Sequence, residues 1–253
     1  MLSGLDLFSG IGGLTIALGD WVKPIAYCDN DPYSQAVLLS RMRDGSLPIA
    51  PIWDDVQTLS TDEIASTHTG GIDIIYGGFP CQDISVAGTG LGLDGERSGL
   101  FFEITRLVSE LRPSFIFLEN VPAITTRGLP DICLAITSLG YDCRWTIVSA
   151  AEVGACHIRE RWFLLAYADG VQLREERGKE NEWNSERKGS LEHNSPSSPG
   201  RIARAPEGKI KPRVVRTGDG VPDVVDRARC LGNAVHPKQA KKAFERLIGI
   251  YGP

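Results

Sequence analysis

A cysteine in a short stretch rich in glycine and proline is the first candidate for chemistry. Cys81 lies in residues 77–82 (GGFPCQ), directly after a predicted apolar strand over 72–76. Glycine and proline favour an exposed turn, and a thiol that loses its proton is a strong nucleophile. Many cysteines are buried and inert, so the stretch alone leaves both interpretations open while favouring a reactive Cys81.

One carboxylate and two arginines could supply acid–base and electrostatic catalysis. Glu119 follows the apolar run 114–118 (SFIFL), and apolar neighbours can raise a carboxyl pKa until the group donates a proton. Arg159 and Arg161 are two residues apart and therefore face the same side of an extended chain. Both could bind one phosphate or one edge of a substrate. A solvated acid or helix cap, and solvated arginines, are the alternatives.

A glycine-rich stretch, residues 6–13 (DLFSGIGG), is the candidate for binding a ligand through its backbone. A strand that runs into a glycine turn and then a helix leaves bare backbone where a ligand can approach closely. The spacing is not G-x-G-x-x-G, so a dinucleotide site is not indicated. Asp29 ends the second predicted strand, where an acid can bind both hydroxyls of a ribose. Many glycine turns bind nothing, so the loop alone leaves its function open.

The elements that must position these residues alternate along the first 168 residues. Strands are predicted over 5–8, 24–28, 72–76, 114–118, 143–151 and 162–168. One helix is predicted to start at Leu14, and others to cover 32–42, 99–111 and 131–139. Such alternation predicts an α/β fold with a mainly parallel sheet covered on both faces. The carboxyl ends of its strands form the edge where open α/β sheets bind ligands.

The pattern stops at residue 169. From there to about residue 211 the sequence has no sustained period and is dominated by Gly, Ser, Asn, Pro, Glu and Lys, which predicts a long loop or a disordered insert. Order is expected again from about Pro212. A helix is predicted over 237–248, with Ala240, Ala243, Phe244 and Leu247 on one face.

Composition excludes several classes of protein. The sequence contains no run of 18 apolar residues, so no membrane span is predicted. The N-terminus lacks the features of a secretory signal. The six cysteines are scattered and the four histidines do not join them at zinc spacing. We therefore expect a reduced, cytoplasmic protein without disulfides or a metal site.

Charge is distributed unevenly. Residues 1–168 contain 10 Lys and Arg against 20 Asp and Glu, whereas residues 169–253 contain 17 against 12. Within 201–216 there are six basic residues and one acidic residue. A basic segment on an acidic body suits a protein that contacts phosphates from one face; a solvated loop is the alternative.

Five motifs occur in order along the chain: DLFSGIGG, GFPCQ, ENV, R-x-R and the late Gly-Asn-Ala-Val at 232–235. In this order they resemble the family of cytosine-5 DNA methyltransferases, over nearly all of 1–168 and again over about 212–253. The resemblance implies a Rossmann-like, S-adenosylmethionine-dependent methyltransferase fold. Its sheet would be mostly parallel with an antiparallel strand and helices on both faces, and a small irregular recognition segment would be added.

The resemblance also implies a mechanism. Cys81 would add to carbon 6 of cytosine, so that carbon 5 can attack the sulfonium methyl group of S-adenosylmethionine. Glu119, protonated, would act as general acid at N3. Arg159 and Arg161 would hold the base carbonyl or adjacent backbone and keep Cys81 ionised. The base would be flipped out of double-stranded DNA, and residues 82–100 resemble the family's loop that closes over it.

The positions that match the family's S-adenosylmethionine site are spread along the chain. The first loop supplies four of them, Asp29 would bind the ribose, and Asp55 and Val56 would meet the edge and face of adenine. Asn30 stands where family members often have a larger side chain. The whole set is Phe8, Gly10, Ile11, Gly12, Asp29, Asn30, Asp55, Val56, Pro80, Leu100 and Asn233.

The resemblance divides the chain into three parts. Residues 1–168 would form the catalytic and cofactor-binding domain, 169–229 a short target-recognition segment, and 230–253 a C-terminal segment and helix that return to the catalytic domain. Family members that read DNA alone usually have a longer recognition region, so the recognised sequence stays open. We expect a monomeric cytoplasmic enzyme of a prokaryotic cell or phage-infected host, without membrane or metal. Whether a cognate restriction endonuclease is its partner stays open.

Three other functions are disfavoured. The RNA-directed relatives carry a Cys-Phe-Thr tripeptide, which does not occur in this sequence. A non-catalytic DNA-binding protein would have no need of the intact set Cys81, Glu119, Arg159 and Arg161. A nucleotide-cofactor oxidoreductase would be expected to contain G-x-G-x-x-G.

Overall fold

The computed structural model describes residues 1–80, 99–171, 173 and 234–249, all within one unit of the chain. The strands are β1 (Leu2–Leu7), β2 (Val22–Cys28), β3 (Ile52–Trp53), β4 (Ile74–Gly78), β5 (Phe115–Asn120), β6 (Tyr141–Ser149) and β7 (Glu160–Ala168). The helices are α1 (Gly13–Leu18), α2 (Pro32–Arg43), α3 (Thr61–Thr67), α4 (Gly99–Leu111), α5 (Ile124–Arg127), α6 (Leu129–Ser138), the 3-10 turn Ala151–Val153 and α7 (Pro237–Leu247).

The described strands form one sheet in the order β3-β2-β1-β4-β5-β7-β6. The first five are parallel to one another, and β7 runs antiparallel to both β5 and β6. Helical crossovers join the parallel strands, whereas β6 and β7 are consecutive and need only a short connection. The predicted mainly parallel sheet with an antiparallel strand is confirmed.

Both faces of the sheet are covered, because neighbouring residues of a strand point to opposite faces. Ile74 and Tyr76 pack in one core cluster with residues of α1 and α7. Ile75 packs in the other cluster with residues of α4 and α6. The predicted helix over 237–248 ends at Leu247, and the four residues predicted for one face are buried. In the described residues, no helix is long and apolar enough to cross a membrane.

The element bounds differ from prediction where tertiary pairing extends a strand. β5 continues through Glu119 and Asn120, which pair with Phe163 and Trp162 of β7, so Glu119 lies within a strand and not after it. β7 likewise begins at Glu160 and contains Arg161. The predicted strand over 143–151 ends at Ser149 and is followed by the 3-10 turn.

Four elements were not predicted: β3, α3, α5 and the 3-10 turn. β3 has only two residues, which is too short for a periodic pattern. Helix α3 carries a recognisable capping box, in which Ser60 accepts from the Glu63 backbone and the Glu63 side chain accepts from Ser60. The S-x-x-E spacing could therefore have revealed α3 from the sequence.

Candidate active site

The glycine-rich loop leaves the end of β1 through three left-handed residues, Phe8, Gly10 and Gly12. Such a conformation is strained for Phe8, which is common where a loop contacts a ligand. A Cβ on Gly12 would lie 2.6 Å from the Leu47 side chain, so the backbone there is packed from behind. At Gly10, in contrast, no atom of the described residues lies within 4 Å of that position. The loop therefore turns one open backbone face outward.

Asp29 lies beside this loop, at the end of β2. Its Oδ2 accepts a hydrogen bond of 2.7 Å from the Gly10 backbone N–H, and Oδ1 accepts one of 3.0 Å from Asp31. Burial raises the pKa of Asp29, while the two backbone donors oppose the shift. The loop and the acid, which the sequence placed about 16 residues apart, are thus in contact.

Helix α2 holds both parts in place from one side. Arg41 donates to the Ile11 carbonyl at 2.6 Å, and Gln35 donates to the Asp29 carbonyl at 2.7 Å. Asp31 caps the start of the helix by accepting from Ser34. Sequence reasoning missed Gln35 and Arg41, because nothing in a helical pattern tells which exposed polar side chain folds back onto a loop.

The predicted adenine-contacting residues lie in the turn after β3. Asp55 accepts from the Gln57 backbone at 2.9 Å, which fixes the turn, and Val56 is buried. Arg106 of α4 donates to the carbonyls of Val56 and Leu59, each at 3.1 Å. Its guanidinium also contacts Glu103 at 2.6 Å. Arg106 therefore ties this turn to α4.

The other predicted cofactor positions are distributed around the same edge. Phe8 and Leu100 are partly buried against the core cluster that contains Val56, whereas Asn30 and Pro80 are exposed. A Cβ on Gly13 would lie 2.8 Å from Val235, so the end of the late Gly-Asn-Ala-Val motif packs against the start of α1. Asn233, two residues earlier, lies outside the described residues.

Glu119 forms the centre of a second group. Its Oε1 lies 2.8 Å from Arg161 Nε, and both side chains are largely buried. Burial raises the pKa of Glu119 to about 7, against the opposing effects of Arg161 and Arg159. Burial and the neighbouring Arg161 in turn lower the pKa of Arg159. The carboxyl is therefore poised to gain or lose a proton near neutral pH.

Two neighbouring glycines allow close packing here, and one of them makes room for this carboxyl. A Cβ on Gly78 would lie 2.7 Å from Glu119 Oε2, and one on Gly77 would lie 2.2 Å from the Leu7 carbonyl oxygen. Sequence reasoning assigned both glycines to an exposed turn, and this was wrong: they are the last residues of β4. They are required because β1 and β5 flank β4 closely on either side.

Asn120 fixes the chain that leads to Cys81. Its Nδ2 donates to the Phe79 carbonyl at 2.9 Å, and its Oδ1 accepts from Val121 at 2.8 Å. The side chain is buried, so this bridge between β5 and the end of β4 is shielded from water. Cys81 itself, like residues 82–98, lies outside the described residues. The ENV motif identified Asn120, but only its neighbour Glu119 received a role.

All of these groups lie at the carboxyl edge of the parallel strands, as predicted for an open α/β sheet. The glycine loop follows β1, and Asp29 follows β2. The turn with Asp55 and Val56 follows β3, and Glu119 lies at the end of β5. Two functional groups thus share one edge: a backbone loop with an acid, and a buried carboxyl with arginines.

Residues 2–214 match the family model of C-5 cytosine-specific DNA methylases. The chain belongs to this family. The resemblance inferred from five short motifs is thereby confirmed.

Curated relatives of this methylase-family chain are type II methyltransferases. M.CviJI of a Paramecium bursaria Chlorella virus is 32% identical over 163 residues, which cover 64% of this chain and 42% of that protein. M.HhaI of Haemophilus parahaemolyticus is 29% identical over 174 residues, which cover 67% of this chain and 50% of that protein. The chain spans about half the length of the curated relatives it matches.

Solved structures agree on the fold. A prophage-encoded Escherichia coli protein, assigned as a DNA modification methyltransferase, superposes with a TM-score of 0.58 at 29% identity, over 70% of this chain and 49% of that one. Spodoptera frugiperda DNMT2 superposes with a TM-score of 0.56 at 19% identity, over 71% and 54% of the two chains, and at that identity shows the fold alone. The predicted Rossmann-like methyltransferase fold is confirmed.

Proposed function

We propose that this protein transfers a methyl group from S-adenosylmethionine to carbon 5 of cytosine in double-stranded DNA, with Cys81 as nucleophile. The observation that carries the proposal is Glu119, a buried carboxyl with a pKa of about 7 that is paired with Arg161 and faces the end of the strand leading to Cys81. Family membership supports the same reaction.

The glycine-loop residues fit S-adenosylmethionine. The open backbone at Gly10 allows close approach, and the half-buried Asp29 carboxylate beside it can accept from ribose hydroxyls. Val56 and Leu100 supply apolar surface for adenine, with Phe8, Ile11, Gly12, Asn30, Asp55, Pro80 and Asn233 as the remaining proposed contacts. When bound there, S-adenosylmethionine supplies an electrophilic methyl group on a sulfonium centre.

The proposed reaction uses the Glu119 group on a flipped cytosine. The Cys81 thiolate bonds to carbon 6, Glu119 donates its proton to N3, and the electron pair displaced in the ring makes carbon 5 nucleophilic. Arg161 and Arg159 hold the base and balance negative charge near the thiolate. After methyl transfer, a water molecule takes the proton from carbon 5, the carbon 6–sulfur bond breaks to release the Cys81 thiolate, and N3 returns its proton to Glu119, which restores the aromatic ring.

The remaining parts of the proposal concern the whole protein. We infer a target-recognition role for 169–229, with phosphate contacts from the basic stretch 201–216, and a return of 230–253 to the catalytic domain. Nearly all of 169–229 lies outside the described residues, whereas 234–249 are described and α7 packs against α1. The family and its bacterial and viral relatives support action on DNA. A monomer in the cytoplasm of a prokaryotic cell or infected host, with a cognate endonuclease as companion, completes the proposal.

The test is transfer of labelled methyl from S-adenosylmethionine to unmethylated mixed-sequence DNA, with the product read by bisulfite sequencing. Cys81→Ser is expected to lose transfer while binding S-adenosylhomocysteine normally, and Cys133→Ser, on α6 and outside the site, is the matched control. Label on carbon 5, lost only in Cys81→Ser, supports the proposal. Transfer retained by Cys81→Ser rejects the nucleophile, and label on RNA alone rejects the substrate.

A further inference from the structure

A glutamine from late in the chain is buried at the start of β7, which Arg159 precedes and which contains Arg161. Gln239 of α7 is fully buried, and its Nε2 donates to the carbonyls of Val148 and Arg159, the latter at 2.6 Å. Both neighbours are acceptors, so the amide nitrogen must face them. The contacts join residues that are 91 and 80 positions apart in sequence.

The two carbonyls lie where the β6–β7 pairing ends. Val148 pairs with Arg161, and the Ala150 backbone donates to the same Arg159 carbonyl at 3.1 Å. The Gln239 amide therefore adds hydrogen bonds at the end of the β6–β7 ladder, where the chain enters β7. A shift of this end would move Arg159 directly, and Arg161 with it, because the two residues are separated only by Glu160 at the start of β7.

The same face of α7 contacts the connection between β6 and β7. Lys242 donates to the Glu152 carbonyl at 3.2 Å, and Arg246 lies 3.2 Å from the Glu152 carboxylate. Residues 239, 242 and 246 share one side of a helix by their spacing. Only Gln239 among them is fully buried and contacts the arginine-bearing backbone directly.

We propose that Gln239 is a positioning residue that sets the orientation of Arg159 and Arg161 toward Glu119. This rests on the proposed function, because the arginines matter only if they act on the substrate. The chemical reason is that a carboxyl–arginine contact of 2.8 Å tolerates little displacement. A misplacement of about 1 Å far from the reacting atoms can cost about a hundredfold in rate.

The test compares Gln239→Met, which keeps the length of the side chain and removes the donor, with Phe244→Leu. Phe244 packs in the same helix against Trp21 and Phe117, away from Arg159. We expect Gln239→Met to lower the single-turnover rate on mixed-sequence DNA by about tenfold or more, with S-adenosylhomocysteine affinity unchanged. Phe244→Leu is expected to lower the melting temperature at least as much and keep the rate.

Gln239→Glu adds a readout that a merely structural contact would not move. Its protonated carboxyl can donate to one of the carbonyls, whereas the ionised form faces two acceptors without a proton. Its rate relative to wild type is therefore expected to fall as pH rises, while that of Gln239→Met stays constant. If Gln239→Met does not fold, the rate of Gln239→Glu at high pH is compared with its own rate at low pH, where the side chain is protonated.

The outcomes separate the two proposals. If wild-type protein transfers no methyl group, the proposed function fails and the role of Gln239 fails with it. If wild type is active and Gln239→Met differs from Phe244→Leu by less than about twofold in rate, or Gln239→Glu shows no pH-dependent loss, only the positioning role is rejected.

Discussion

Two buried carboxyl groups lie near the same edge of the sheet, in opposite surroundings. In the glycine-loop region (residues 8–12, Asp29 and the α2 contacts), Asp6 lies below the loop with its Oδ2 2.6 Å from the Thr15 hydroxyl. In the Glu119 region (Gly78, Glu119, Asn120, Arg159, Arg161), the carboxyl faces a guanidinium. Burial raises the pKa of Asp6 to about 8 and that of Glu119 to about 7.

The difference shows how one physical effect can serve two purposes. Burial and the nearby Asp29 carboxylate favour the neutral form of Asp6, and the hydrogen bonds from the Thr15 and Ser9 hydroxyls oppose them only in part. Glu119 has arginines that oppose the effect of burial, so both protonation states are accessible near neutral pH. Opposition by charged arginines, and not only by hydroxyl groups, keeps the pKa of Glu119 nearer to neutrality than that of Asp6.

Of the substitutions that test this comparison, the one that removes the acidic proton of Glu119 should have the largest effect on the methyl-transfer rate. We expect Glu119→Gln to lower the methyl-transfer rate by about 10²- to 10⁴-fold, the usual contribution of a positioned general acid. Wild-type activity that depends on protonated Glu119 should fall as pH rises through about 7, and this limb should vanish in the variant. Single-turnover rates from pH 5.5 to 9 measure both. An unchanged limb in Glu119→Gln would assign the titration to another group.

Asp6→Asn should change stability and not the pH dependence of chemistry. The pKa of about 8 in the folded protein exceeds the ordinary carboxyl value of 3.8, so this group stabilises the fold fully below about pH 4 and has lost that contribution once the pH has risen through 8. We expect Asp6→Asn to gain about 4 kcal/mol relative to wild type between pH 5 and pH 8.5. Urea unfolding at the two pH values measures the gain. A difference independent of pH would contradict a buried titrating Asp6.

A methyl group placed against Glu119 tests the clearance on which the Glu119 region depends. Gly78→Ala would put a Cβ 2.7 Å from Glu119 Oε2. We expect the rate to fall about ten- to a hundredfold through displacement of the carboxyl, with S-adenosylhomocysteine binding retained. Gly71→Ala, which meets no atom of the described residues within 4 Å, is the control. Equal effects of the two substitutions would remove Gly78 from the site.

The smallest expected effect concerns the turn that contains Val56. Arg106→Lys keeps the charge but loses the planar group that donates to Glu103 and to both carbonyls at once, so S-adenosylhomocysteine should bind about three- to tenfold more weakly, in line with the loss of one hydrogen bond. Calorimetry measures the affinity. Glu103→Gln, which removes only an ion pair of the same guanidinium, is expected to change it less. If Glu103→Gln weakens binding equally, charge and not carbonyl contact supports the turn.

Much of the glycine-loop region could be predicted from the sequence. The strand, the glycine turn and the following helix are contiguous in sequence. A glycine such as Gly12 indicates a position that can take a left-handed conformation. The helix over 99–111 was predicted with its observed bounds, because its apolar spacing and the following proline are local features. Family resemblance then related these local features to a known chemistry.

The tertiary structure alone decided the Glu119 region. The chain positions of Glu119 and Arg161 differ by 42, those of Asn120 and Phe79 by 41, and those of Gln239 and Arg159 by 80. No local period records such pairs, and the sequence could name Glu119 and Arg161 without telling that they touch. Burial, which sets the Glu119 pKa near 7, also exists only once β4, β5 and β7 pack side by side. Residue type and local spacing therefore determined the chemical groups and the fold, whereas distance and desolvation came from packing.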